Sequence, residues 1–138
     1  MAVNGLRRMT VDERGLIGKL VVLWLVLAAL LVVLAYDGIQ IAITRFRVAD
    51  AAQTAAFESA TTLRSTQGDR QAAYQAALDA VGEADPDLRL AEFVIDQQTN
   101  EVVVTVSDKA STLLMGRIGF LRSLTKAKTT ESSEVSAP

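Results

Sequence analysis

The sequence lacks both cysteine and histidine among its 138 residues. These absences exclude disulfide bonds, thiol nucleophiles, histidine-based triads and zinc sites of the usual Cys/His type. Nucleophile-elbow, Walker and dinucleotide-binding glycine motifs are missing as well. We therefore expect no enzyme, no cofactor, no metal and no small-molecule substrate.

Carboxylates are the remaining groups for acid–base chemistry or for binding a hard cation. They occur as two close pairs, Asp12 with Glu13 and Asp85 with Asp87. Both pairs lie at expected turns or helix ends, where acidic side chains commonly cap backbone N–H groups. We expect capping and solvation from them, and no catalysis.

Excess positive charge is confined to the N-terminus. Up to Lys19 the chain has four basic and two acidic residues, a net charge of +2. The remaining residues carry a net charge of −4, which gives the total of −2. A mildly acidic body is a poor partner for a polyanion, because phosphate recognition needs a basic face. Nucleic acid is not an expected partner.

An uncharged run, "LVVLWLVLAALLVVLAY", occupies residues 20–36. A bilayer core needs roughly 20 mainly apolar helical residues, so residues 16–38 are predicted to form a transmembrane anchor, with Lys19 snorkelling toward headgroups. Four Lys/Arg precede the run, and Arg45 and Arg47 follow it. This predicts a cytoplasmic segment 1–15 and an exported C-terminal part, anchored once in the inner membrane. A signal peptide cleaved after "VLA" is the alternative.

Asp37 directly follows this run and has two interpretations. It is either an intramembrane acid paired with another subunit, or an interfacial acid at the outer headgroups. Its position beside Tyr36, a residue type enriched at membrane interfaces, favours the second.

Beyond Asp37 the helical pattern continues. Residues at alternating steps of four and three define one stripe, which we expect to pack against another helix or a sheet: Ala42, Phe46, Ala49, Ala56, Ala60 and Leu63. Gly68 is suited to end this helix and Asp69 to cap a second, "DRQAAYQAALDAVGEA", which Pro86 stops.

Three strands are expected after the second helix. "LRLAEFVID" and "EVVVTVS" form a hairpin joined by "QQTN", and "SLTKAKTT" adds a third strand. The predicted fold is thus α+β, with an anchor helix, a second helix and a small antiparallel three-stranded sheet. Residues 39–130 form the exported domain, and the polar residues 131–138 are expected to be a disordered tail.

The stretch "LLMGRIGFLRSL", residues 113–124, lies between two predicted strands and combines large apolar residues with Arg117 and Arg122. It is either a packed crossover that completes the small core or an apolar surface for a neighbouring subunit or the membrane. The first interpretation is preferred.

The order of these features resembles that of TadE/TadG-like proteins of Tad (Flp) pilus assembly systems. "DERG" precedes the anchor, "YDG" ends it, "RFRVADAAQTAAFESA" continues the helix, and "EVVVTVS" followed by "TLLMG" comes later. The resemblance covers about residues 12–129 and implies a single-pass, pilin-like structural protein whose partners are other apparatus subunits, with a homo-oligomer as a further option.

The resemblance also implies processing by a prepilin peptidase after Gly15, next to Arg14, with a glutamate five residues later. Leu20 stands at that position. This departure favours a permanently anchored accessory protein, a minor pilin or pseudopilin, over a bulk filament subunit. The alternative function is an exported binding or envelope module, tethered or secreted, that is unrelated to pili.

Overall fold

The structure, a computed structural model, describes residues 10–135. Its elements follow in the order α1 (Thr10–Ser65), α2 (Arg70–Ala84), β1 (Arg89–Asp96), β2 (Glu101–Lys109), a 3₁₀ helix (Arg122–Thr125) and β3 (Lys126–Glu134). The predicted α+β fold, with a long apolar N-terminal helix, a second helix and a three-stranded antiparallel sheet, is confirmed.

The described chain divides after Tyr36 into two compact units. The first contains the apolar part of α1, whose large side chains between Leu16 and Val32 are exposed. By length and composition this helix can cross a membrane once; a signal sequence near the N-terminus meets the same criteria. The first unit therefore fits single-pass membrane anchoring.

The connection between α1 and α2 is built as the turn residues predict. Gly68 adopts a φ of 97° and its N–H donates to the Leu63 carbonyl at 2.8 Å, which closes the last turn of α1. Gln67 is also left-handed, with a φ of 57°. The Asp69 carboxylate then accepts hydrogen bonds from the N–H groups of Gln71 and Ala72, so Asp69 caps α2.

The sheet is an antiparallel meander with β2 in the centre. Val102, Val104 and Val106 are fully buried, because alternate side chains of a strand point to the same face. A bulge lies between Leu90 and Glu92 in β1. The helices cover one face of the sheet, and this sandwich supplies the core of the second unit.

The hairpin between β1 and β2 uses the predicted connection "QQTN". The Asp96 carboxylate accepts hydrogen bonds from the N–H groups of Gln98 and Thr99, at 2.8 and 3.3 Å. These two bonds stabilise the ionised form and lower the pKa of Asp96 below its usual value. Asn100 closes the turn in a left-handed conformation, at a φ of 56°.

The core is dominated by small and β-branched residues. Alanines of both helices and the alternate valines of β2 belong to one buried cluster. The buried members are Val48, Ala51, Ala52, Ala55, Ala56, Ala60, Leu63, Ala73, Ala77, Ala80, Val81, Leu88, Val102, Val104, Val106 and Ala127.

The third strand is longer than the sequence predicts. It begins at Lys126 and continues through Glu134, so residues 131–134 are strand and not part of a disordered tail. Glu134 pairs with Glu101 at the start of β2, and Val135 packs against the core. The backbone N–H and C=O groups of the central strand need hydrogen-bond partners along its whole length, and this requirement outweighs the low strand propensity of "ESSE". Residues 136–138 lie outside the described part.

Candidate functional site

Asp37 is a fully buried acidic side chain near the start of the second unit, with a relative exposure of 0%. Its Oδ1 accepts a hydrogen bond from the Leu113 N–H at 2.7 Å. Its Oδ2 accepts from the N–H groups of Leu114 at 2.9 Å and Met115 at 2.8 Å. The carboxylate thus binds three consecutive backbone donors of a loop more than seventy residues away in sequence.

The loop that receives Asp37 connects β2 to β3 and is shaped to present those donors. Residues 113–115 turn so that their N–H groups converge, an arrangement that favours an anion. The next N–H, that of Gly116, donates to the Thr112 hydroxyl at 2.9 Å. A Cβ at Gly116 would lie 2.9 Å from that hydroxyl, so glycine permits this close turn.

This contact differs from both sequence interpretations of Asp37. Its own chain supplies three donors to the carboxylate, a contact that neither interpretation included, and the place of Asp37 relative to a membrane or another subunit stays a prediction. A sequence signal does exist in retrospect: "TLLMG" has a turn-forming glycine and a threonine that caps a neighbouring N–H. Nothing local in the sequence links that turn to a residue on α1.

The loop at residues 110–125 is partly buried and partly exposed. Leu114, Met115 and Ile118 are half-buried, whereas Leu113, Phe120 and Leu124 are exposed. Phe120, at 80%, is the most exposed large apolar side chain of the second unit's described residues. The two arginines of the loop, Arg117 and Arg122, are exposed too. The expectation of a purely packed crossover therefore holds only for the half-buried residues.

The stripe predicted on α1 divides into two parts. Ala56, Ala60 and Leu63 are buried in the core, but Ala42 is exposed, Ala49 is half-buried, and Phe46 is exposed at 77%. In the N-terminal half of the stripe, the residues that face the core lie a fraction of a turn away from the predicted ones. They are Asp37, Ile41, Thr44 and Val48. The N-terminal half of the predicted interface is thus not used by the protein's own sheet.

A groove runs along this unused half of α1, beside the edge strand β3. Its volume is about 690 Å³. Its lining includes the apolar side chains of Ile41 and Phe46 and the basic side chains of Arg45, Lys126 and Lys128. None of the described residues that line it is acidic. The groove therefore offers an apolar surface with basic side chains.

The residues proposed for processing lie in α1. Gly15 and Lys19 are exposed, and no atom beyond the local helix lies within 4 Å of the place where a Cβ of Gly15 would be. The backbone of Arg14 is helical, and its side chain lies outside the described part. Cleavage after Gly15 stays a prediction.

The Asp85 and Asp87 pair behaves as a capping turn, as expected. The Asp87 N–H donates to the Asp85 carboxylate at 2.9 Å, and the Arg47 guanidinium contacts the other oxygen of Asp85 at 2.7 Å. This ion pair ties α1 to the end of α2. Within the described residues no cluster of three or more acidic side chains is arranged to hold a metal.

No family model, no curated protein and no solved structure matches this chain. The features of the molecule that bear on its function are the contacts of Asp37, the exposed apolar surfaces and the apolar helix that precedes them.

Proposed function

We propose that this protein is a membrane-anchored structural component, minor pilin-like or pseudopilin-like, of a Tad-type pilus or secretion apparatus. One observation carries the proposal: the same helix that can cross a bilayer also supplies core residues of the folded unit. The segment that can anchor the protein is thus covalently continuous with the folded unit, which suits a membrane-tethered subunit of an assembly. The resemblance of "DERG", "YDG" and "EVVVTVS" to TadE/TadG-like proteins supports the same function.

The groove on α1 supports contact with another subunit. Phe46 and Ala42 leave an apolar surface that the described residues of their unit do not cover, and exposed apolar surface of this kind marks interaction sites. We propose that the apolar part of α1 lies in the inner membrane and that the folded unit lies outside the cytoplasm, in line with the basic residues before the span.

Photo-crosslinking in intact cells tests this function. A benzoylphenylalanine at Phe46 should give one defined adduct, because that ring lies on the unpartnered groove. Phe57, another exposed phenylalanine on α1 outside that groove, provides the matched control and should give none. Mass spectrometry identifies the adduct. A membrane platform protein or a second pilin-like subunit supports the proposal.

An adduct with an envelope protein from outside any secretion apparatus favours the runner-up, an exported binding or envelope module. Absence of a defined adduct at Phe46, with the protein present in the membrane fraction, contradicts the assembly function. Carbonate extraction of the same cells separates a retained anchor from a cleaved signal sequence, since a cleaved product is released as a soluble protein.

A further inference from the structure

The exposed loop at residues 110–125 has a defined place relative to the candidate span. Its backbone is hydrogen-bonded to the carboxylate of Asp37, and Asp37 follows Tyr36, the last residue of the uncharged run. Consecutive Cα atoms are 3.8 Å apart and the hydrogen bonds are short, so the loop backbone at Leu113 lies within roughly 10 Å of the end of that run.

That distance matches the thickness of the bilayer interface. Between the hydrocarbon core of about 30 Å and the total of about 40–45 Å, each headgroup layer measures roughly 5–8 Å. Tyr36, the residue before Asp37, is half-exposed, and tyrosine is enriched in this layer. A loop held to Asp37 is therefore positioned at the interface whenever the preceding run spans a membrane.

The composition of the loop suits that layer. Leu113, Phe120 and Leu124 expose apolar side chains, and Arg117 and Arg122 are the charged groups among them. No acidic residue occurs between Lys109 and Glu131. Apolar side chains that enter the acyl boundary together with basic groups that reach phosphates are the features of a surface-bound amphipathic segment.

We infer that residues 110–125 form a lipid-binding foot, which inserts Phe120 and Leu124 into the headgroup region and places Arg117 and Arg122 against anionic lipid phosphates. Asp37 holds this foot at the level where the helix leaves the bilayer. The foot requires membrane anchoring by α1 but not membership in any apparatus, so it goes beyond the function proposed above.

Trp24, the single tryptophan, makes this foot measurable in the full-length protein. The chain is reconstituted into phosphatidylcholine/phosphatidylglycerol vesicles that contain brominated lipids. In the unmodified protein, quenching of Trp24 reports whether α1 enters the bilayer. The test protein combines Trp24→Phe with Phe120→Trp, and the control combines Trp24→Phe with Phe57→Trp, a position exposed at 61%.

The tryptophan at position 120 should emit at short wavelength and be quenched most strongly by lipids brominated near the headgroup. The tryptophan at position 57 should emit as in water and resist quenching. Equal, water-like behaviour at both positions, with Trp24 quenched and the circular dichroism native, overturns the proposal. Emission at position 120 that changes with the protein-to-lipid ratio identifies a second protein copy as the occupant and overturns it too.

The arginines are tested in the same protein. Each basic group near an anionic surface shifts membrane binding about fivefold, so Arg117→Gln with Arg122→Gln should lower the ratio of docked to undocked loop by about 30-fold. In vesicles without phosphatidylglycerol, the protein with both arginines intact should show the same fall in the ratio of docked to undocked loop. Unchanged quenching in both measurements refutes the phosphate contact.

Discussion

Replacing Asp37 with asparagine tests whether the carboxylate holds the loop. The substitution keeps the shape of the side chain but turns one acceptor into a donor. Because Leu113, Leu114 and Met115 all donate to Asp37, an amide in either orientation places its NH₂ against at least one N–H group. The variant therefore loses at least one hydrogen bond and removes the negative charge from the others.

The expected size follows from these lost bonds. A hydrogen bond to a charged group shifts a docking equilibrium by a factor of about ten, and both the lost bond and the weakened ones contribute. We expect the open population of the loop to rise about 100-fold in Asp37→Asn. The sheet should keep its stability, since the valines of β2 do not depend on this contact.

Hydrogen exchange followed by mass spectrometry, on the full-length chain in nanodiscs, measures this change. Amides of residues 113–115 should exchange about 100-fold faster in the variant, while those of β2 and β3 keep their rates. Asp50→Asn, at an exposed acid on the same helix, is the matched control and should change neither. Unchanged exchange at residues 113–115, or equal acceleration throughout the sheet, refutes the assigned role of Asp37.

Three further predictions concern the folded unit. Val104→Ala should lower the free energy of unfolding by about 2 kcal/mol because it leaves a cavity in the core, whereas Val103→Ala, on the other face of β2, should cost clearly less in the same urea titration. Gln67→Gly should raise stability by about 0.5–1 kcal/mol, because Gln67 is left-handed, and Gly68→Ala should lower it by about 1–2 kcal/mol. The lowered pKa of Asp96 contributes stability above the unfolded pKa of about 3.9, and this contribution is lost as the pH falls through the folded pKa. Urea midpoints of the protein and its Asp96→Asn variant should therefore differ at pH 6 and converge below about pH 4; a constant difference contradicts the assignment.

Local signals in the sequence predicted the elements and their turns well. The turns and the helix cap formed by "QQTN", Gly68 and Asp69 involve contacts with residues only a few positions away, so a short stretch of sequence predicts them. The same is true of the alternating valines, whose period of two directly reports one buried face.

The position of the core stripe on α1 was harder to predict, because alanine fits a buried or an exposed helix face. Polar residues at core positions, Asp37, Thr44 and Ser59, carry no hydrophobic signal, and the exposed Phe46 carries a misleading one. The contact of Asp37 joins residues 76 to 78 positions apart, and it depends on the sheet that brings the loop back to α1. No periodicity within a short window records such a contact.

The separation of Asp37 from its donors has a consequence for biogenesis. The carboxylate is synthesised 76 residues before the first N–H that binds it, and the donors lie between β2 and β3. Asp37 therefore stays without these donors until the loop after β2 has been synthesised, so we expect burial of this acid late in folding. In pulse-labelling exchange during refolding, the amides of residues 113–115 should gain protection no earlier than those of β2. Where α1 anchors the chain in a membrane, a nascent chain that stops short of the loop keeps an unpaired carboxylate directly after the apolar run, and this charge favours the water side of the boundary until the domain is complete.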